Sequence, residues 1–209
     1  MRIWDVSQPL RAGIPVWPGD TAFEETRVAT ISADCPVNVS RLVLSTHTGT
    51  HADGPVHYDP DGRGVGEGDL EPYLGPAQLL TVTAAGGLVR EADVLGRLVP
   101  GVRRVLLRAF DLFPADRWRS DFPAIDPALV DALAARGCIL IGTDTPSLDP
   151  ETSKTMLAHL AVARHGLAIL EGLVFDDVAD GLYELIALPL RLVHADASPV
   201  RALLRELPA

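Results

Sequence analysis

The segment Ser45-Thr-His-Thr-Gly-Thr-His-Ala-Asp-Gly-Pro-Val-His57 constrains this chain more than any other. Three of the six histidines and an aspartate fall between positions 47 and 57. His47, His51, Asp53 and His57 all occupy odd positions, so in extended backbone they share one face, because side chains there alternate with period 2. A helix would keep His47 beside His51 but turn Asp53 roughly 200° away. Gly49, Gly54 and Pro55 also oppose a helix. A straight strand fails too, since His47 and His51 would stand about 13 Å apart at about 3.3 Å per residue. Bonds from a metal to imidazole are only about 2 Å long. The pattern therefore predicts a curled extended segment, bent at Gly49 and Gly54, whose four side chains converge as metal ligands. The competing reading is a polar surface loop whose histidines cap turns. Three histidines and an aspartate at same-face spacing favour the metal site.

A length of 209 residues fits a single domain over 1–209. The formal charge of −10 counts against nucleic acid or an anionic membrane as partner, since both demand a basic footprint. No apolar run reaches the 18 or so residues of a membrane span. The start, Met-Arg-Ile-Trp-Asp-Val, has no apolar core of signal-peptide length, so a cytoplasmic protein is expected. Cys35 and Cys138 then read as two buried thiols rather than a disulfide.

Along the chain, residues 2–6 read as a strand. Gly13 to Asp20 forms a rigid proline-rich loop around Trp17. That tryptophan either plugs the edge of the core or offers a flat face to a ligand. Strand-like runs at 22–31 and 37–46 lead into the histidine segment. Residues 58–68, rich in glycine, match no phosphate-binding fingerprint and read as a mobile loop or lid near the site mouth. From residue 77 strands and helices alternate. Strands are expected at 78–83, 102–108, 138–142 and 167–170, with a last one at 185–193 in which Pro189 marks an edge or bulge. Helices are expected at 90–98, from Asp126-Pro127 to Gly137, and over 153–165. The fold class is α/β with a mixed sheet, richer in β at the N-terminal third.

One curled segment cannot close a metal site by itself. His159 lies within a predicted helix among apolar residues, where a histidine is ordinarily a hydrogen-bonded core residue; a metal nest elsewhere makes it a candidate ligand. Glu171 follows the apolar run Leu167–Leu170, at the C-terminal tip of a strand, where α/β sheets carry their active face. A lone buried carboxylate costs several kcal/mol unless it is paired or metal-bound. The set His47, His51, Asp53, His159 and Glu171 contains no thiolate and suits Zn²⁺, Mn²⁺ or a similar ion. Five ligands exceed what one catalytic zinc uses, whereas two metals with carboxylate bridges accommodate all five and a hydroxide between them. His57 is then left over, placed to shuttle a proton. His165 and His194 read as structural or solvent-facing.

The stretch His47-Thr-Gly-Thr-His-Ala-Asp-Gly-Pro-Val-His57 resembles the signature of the cyclase-like metal-dependent hydrolases, and within them the bacterial kynurenine formamidases most closely. Trp4-Asp-Val-Ser-Gln-Pro, Pro15-Val-Trp-Pro-Gly-Asp20, Gly142-Thr-Asp-Thr-Pro-Ser147 and Ile169-Leu-Glu-Gly-Leu173 extend the resemblance over nearly the whole chain. The resemblance implies a homodimeric swivelling β/β/α fold. It also implies hydrolysis of N-formyl-L-kynurenine to L-kynurenine and formate, in tryptophan degradation, by hydroxide activated on two zinc ions. Carried over, His47 and His51 bind the first metal and His159 the second, while Asp53 and Glu171 bridge both. His57 becomes the general acid/base and Trp17 stacks on the substrate's ring. Two alternatives stand beside it: a related enzyme acting on another aryl or cyclic amide such as isatin, and a metal-binding module without turnover.

Overall fold

The computed structural model describes residues 1–207. Its frame is one curled mixed sheet of nine strands. In chain order the strands are β1 (Ile3–Asp5), β2 (Glu24–Ala29), β3 (Val39–Val43), β4 (His51–Asp53), β5 (Leu74–Thr81), β6 (Leu88–Val89), β7 (Arg104–Arg108), β8 (Ala124–Ile125), β9 (Leu140–Thr143), β10 (Ala168–Glu171), β11 (Gly181–Ile186), β12 (Ala197–Pro199) and β13 (Leu203–Glu206). The large sheet runs β1-β13-β11-β5-β7-β9-β10-β4-β12, while β2 pairs with β3 and β6 with β8 in two-stranded ladders. The centre, β5-β7-β9-β10, is parallel, and β4 lies antiparallel between β10 and β12.

Alternation along the central strands sends apolar side chains to both faces. Leu79, Leu106, Leu140 and Leu170 face one core, with Tyr183, Leu185, Leu204 and Phe175. Leu80, Leu107, Ile141 and Ile169 face the other, against the helices α1 (Glu91–Val94), α2 (Pro127–Ala134) and α3 (Leu157–His165). Each fully buried Leu or Ile contributes about 1.5–3 kcal/mol. Helix α2 starts as its sequence predicts: the Asp126 side chain accepts from Ala128 N–H at 2.9 Å, and Pro127 occupies the first turn.

Four expectations are corrected. Helix α3 begins at Leu157 rather than 153, because Met156 adopts a left-handed conformation (φ 49°) that breaks the turn before it. The Asp149 carboxylate then accepts from the first helical N–H groups, Ala158 and His159, both at 3.1 Å. The strand expected at 185–193 covers 181–186 instead and stops before Pro189, which has no N–H to pair. Leu188, Leu190, Leu192 and Val193 are exposed, and β12 and β13 follow. The glycine-rich segment 58–68 is packed rather than lid-like, with a short 3₁₀ turn at Val65–Glu67. Val65 N–H donates to Ala195 O at 2.9 Å and Gly66 N–H to Leu192 O at 3.1 Å. A Cβ on Gly64 would fall 2.2 Å from Val193 O, so this glycine serves close backbone approach. Finally, Cys138 is buried but Cys35 only half-buried; both are free thiols. No helix among the described residues is long and apolar enough to cross a membrane.

Candidate metal centre and aromatic cleft

Gly49, at φ 70°, turns the chain back so that His47 meets the strand it precedes. Strand β4 then sends His51 and Asp53 to one side and Ala52 into the core. His51 sits directly opposite Glu171 in the antiparallel β4–β10 register. Helix α3 brings His159 from the other direction, one residue beyond its first cap bond. Thus His47, His51, Asp53, His159 and Glu171, from three separate stretches of sequence, meet at one place.

The two carboxylates divide the imidazoles between their oxygens. Asp53 Oδ1 lies 3.3 Å from His47 Nδ1 and 3.4 Å from His51 Nε2. Asp53 Oδ2 lies 3.4 Å from His159 Nε2. Glu171 repeats the division, with Oε2 at 3.4 Å from His51 Nε2 and Oε1 at 3.5 Å from His159 Nε2. Despite these separations His51 Nε2, both Asp53 oxygens and His159 Nε2 are buried and form no hydrogen bond among the described residues. Buried polar atoms left unpaired are rare. Ligands bound about 2.0–2.1 Å from a tetrahedral ion stand about 3.3 Å apart, which is the spacing seen here. The donor set and its orphaned atoms fit divalent metal.

Each of these three histidines is held by its remaining ring nitrogen. His51 Nδ1 is 2.9 Å from Gly49 O, His159 Nδ1 is 2.7 Å from Asp149 Oδ2, and His47 Nε2 is 3.1 Å from Asp196 Oδ2. Such outer partners fix the tautomer and aim the free lone pair. Asp149 and Asp196 were absent from the sequence-based set; only the Thr-Asp-Thr-Pro-Ser segment just before Asp149 pointed near them. His57 differs. Its ring makes no side-chain hydrogen bond among the described residues, though it lies 4.3 Å from His47 and 5.9 Å from His159, centroid to centroid. One of its nitrogens also groups with Asp53 and His159 atoms within 4.8 Å, so it stands beside the ligand cluster.

The charges respond accordingly. Burial would lower the His47 pKa, but the Asp53 and Asp196 carboxylates overcome it and raise it to about 9. Burial likewise opposes protonation of His159, and Asp149, Asp53 and Glu171 reverse the effect. Burial would raise Asp53, yet its histidine partners pull it well below the ordinary carboxylate value. The cluster's centre is a site of concentrated negative potential. Metal uptake there must displace protons from the imidazoles. His57, by contrast, is lowered, chiefly by burial.

Above the cluster opens a cleft of about 510 Å³ that His47, His51, His57 and Glu171 also line. Trp17 stands in its wall, edge-to-face with Trp118 at 5.3 Å and with Phe122 at 6.3 Å. Phe110, Phe113 and Trp118 come from the irregular segment after β7, a wall not expected from sequence. Asp144 anchors that segment by accepting from Ala109 N–H at 2.9 Å and Phe110 N–H at 3.0 Å. Its desolvation pushes its pKa up to about 7.

The Cyclase family signature matches residues 4–150. This chain belongs to the Cyclase family. Among its relatives in that family is the kynurenine formamidase of Maricaulis maris, 56% identical over 207 residues and covering 99% of each chain. A kynurenine formamidase of Sphingopyxis alaskensis is 52% identical over 206 residues, again with 99% of each covered. A solved structure described as a potential metal-dependent hydrolase with cyclase activity superposes with a TM-score of 0.82 at 28% identity, covering 97% of this chain and 96% of the other. The resemblance seen in the histidine segment therefore extends to the whole Cyclase-family chain and to its curled α/β fold.

Proposed function

We propose that this protein hydrolyses N-formyl-L-kynurenine to L-kynurenine and formate, as a step of tryptophan degradation, with two divalent metal ions per chain. His47 and His51 would hold one ion and His159 the other, with Asp53 and Glu171 shared. The observation that carries this reading is the split of each buried carboxylate, one oxygen towards His47 or His51 and the other towards His159. Zn²⁺ is the first expectation and Mn²⁺ the second, given imidazole and carboxylate donors without thiolate. When bound, such ions supply a water acidified towards neutrality and a positive field for the formyl oxygen.

The chain's own groups do the rest. Trp17 and its aromatic neighbours receive the aryl ring and exclude water around it. His57, lowered by burial and unbonded at its ring, is neutral at pH 7 and free to take a proton. It accepts that proton from the attacking water and delivers it to the aryl nitrogen as the carbon–nitrogen bond breaks. The products are then a neutral aromatic amine and formic acid, which ionises to formate with release of one proton to solvent.

Zinc content and N-formylkynurenine turnover, measured on one chelator-free preparation, test the reading. About two zincs per chain with turnover is the expected result. Two zincs without turnover transfers the site to another amide, with isatin first to be tried. No metal overturns the site.

The reading includes a homodimer. Hairpin β2–β3 leaves Val28, Val39, Leu42 and Val43 exposed, and an isolated two-stranded hairpin is marginal in water. Sedimentation is expected to give twice the 22.3 kDa chain mass, and Leu42→Glu to shift it towards the monomer. A wild-type monomer at micromolar concentration would refute this part.

A further inference from the structure

Among the described residues, two charged side chains of the 110–119 segment lack a side-chain partner: Asp111, which does not line the cleft, and Arg117, which does. Asp116 binds Arg11. The Trp118 indole N–H donates to Glu151 Oε2 at 2.7 Å. Arg119 bonds Asp121 through two nitrogens, at 2.9 and 2.8 Å, and lies over the Phe110 ring at 5.5 Å. Arg117 stands between these residues, lines the cleft, and is exposed with no ion pair or side-chain hydrogen bond among the described residues. The Trp17 loop brings a second unpaired charge to the same cleft. Among the described residues the Asp20 carboxylate takes only the Thr21 N–H, at 2.6 Å, and no cation.

A free guanidinium is notable on a chain with 28 acidic and 18 basic residues, whose overall field repels anions. Arginine's planar fork matches a carboxylate bidentately, and an unpaired aspartate suits an ammonium group. The two charges lie in one cleft without neutralising each other, so a ligand bearing both signs satisfies both. We propose that Arg117 and Asp20 bind the zwitterionic α-amino-acid head of the substrate, Arg117 taking its carboxylate and Asp20 its ammonium. This rests on the formamidase reading above and names the groups that select among aryl formamides. The aryl formamide end goes to the metal cluster, the ring lies against the aromatic wall, and the head lies towards Arg117 and Asp20. Isatin, without such a head, leaves both charges unanswered. A site built to bond a polar group discriminates strongly against an analogue lacking it.

The test compares N-formyl-L-kynurenine with 2-formamidoacetophenone, which keeps ring, ketone and formamide but has no amino-acid head. Arg117→Ala is expected to lower kcat/KM for the first about tenfold more than for the second, mainly through KM, as loss of a charged hydrogen bond predicts. Arg117→Lys should recover part of that loss, and Asp20→Asn should reproduce the same substrate dependence. Equal losses on both substrates, or none on either, overturn the assignment while leaving the formamidase reading intact. A wild-type enzyme that turns over neither formamide removes that reading and the assignment with it.

Discussion

Glu171→Ala is expected to purify with metal content well below the parent's and with affinity for Zn²⁺ reduced by more than about a hundredfold. Loss of outer partners alone typically costs 10–100-fold, and Glu171 would be a direct ligand. Its position explains the size of the effect. One oxygen faces His51 Nε2 at 3.4 Å and the other His159 Nε2 at 3.5 Å, so a single deletion removes a donor from both halves of the cluster. Glu171 Oε1 also accepts from Leu148 N–H at 2.8 Å, which ties the strand tip to the loop carrying Asp149. Glu171→Gln preserves that shape and one acceptor, and is expected to fold normally while still binding metal weakly. Metal analysis by mass spectrometry, with circular dichroism on the same samples, checks both variants. Full occupancy in folded Glu171→Ala would remove the residue from the site.

His57→Ala is expected to do the reverse, retaining metal while kcat falls about 10²–10⁴-fold, the usual contribution of a positioned proton-transfer group. His47, His51 and His159 each have their second nitrogen fixed by a carbonyl or carboxylate, as ligands require. His57 has no such partner, and its depressed pKa keeps it a base at neutral pH. Substrates with better leaving groups should lose less in this variant, because a weakly basic amine departs without protonation. Loss of metal from His57→Ala would assign His57 to the ligand cluster instead, a role that its proximity to Asp53 and His159 makes a direct competitor.

The period-2 placement of His51 and Asp53, with Gly49 ahead of them, was enough to read the curled segment, because spacing on one strand is local information. Glu171 was legible for a similar reason: an apolar strand ending in a carboxylate is a pattern contained in five residues. Asp149 and Asp196 were not, since they reach His159 and His47 across 10 and 149 residues and no periodicity links them. Strands β12 and β13, of three and four residues, were too short to show a pattern, and the latter half of the expected 185–193 strand proved an exposed apolar run. Glycine density at 58–68 carried two opposite meanings, freedom and close contact, and only the neighbouring backbone at 192–195 decides between them. The aromatic wall was missed because residues 109–123 have no regular element to reveal which side chains face inward.

The pairing of β1 with β13, and of β4 with both β10 and β12, has a consequence for biosynthesis. The first strand waits for residues 203–206, and the histidine segment waits for residues 168–171 and then 197–199 before either edge of it is bonded. A ribosome emitting this chain from its N-terminus therefore releases the ligand-bearing strand long before its neighbours exist. Pairings so distant in sequence form slowly, because loop closure must precede any reward from contact. The nascent protein must carry a cluster of exposed imidazoles and carboxylates until residues 197–206 arrive. Metal binding at this cluster would thus await residues 197–206, and loss of those two strands would disable a site whose candidate ligands all lie upstream.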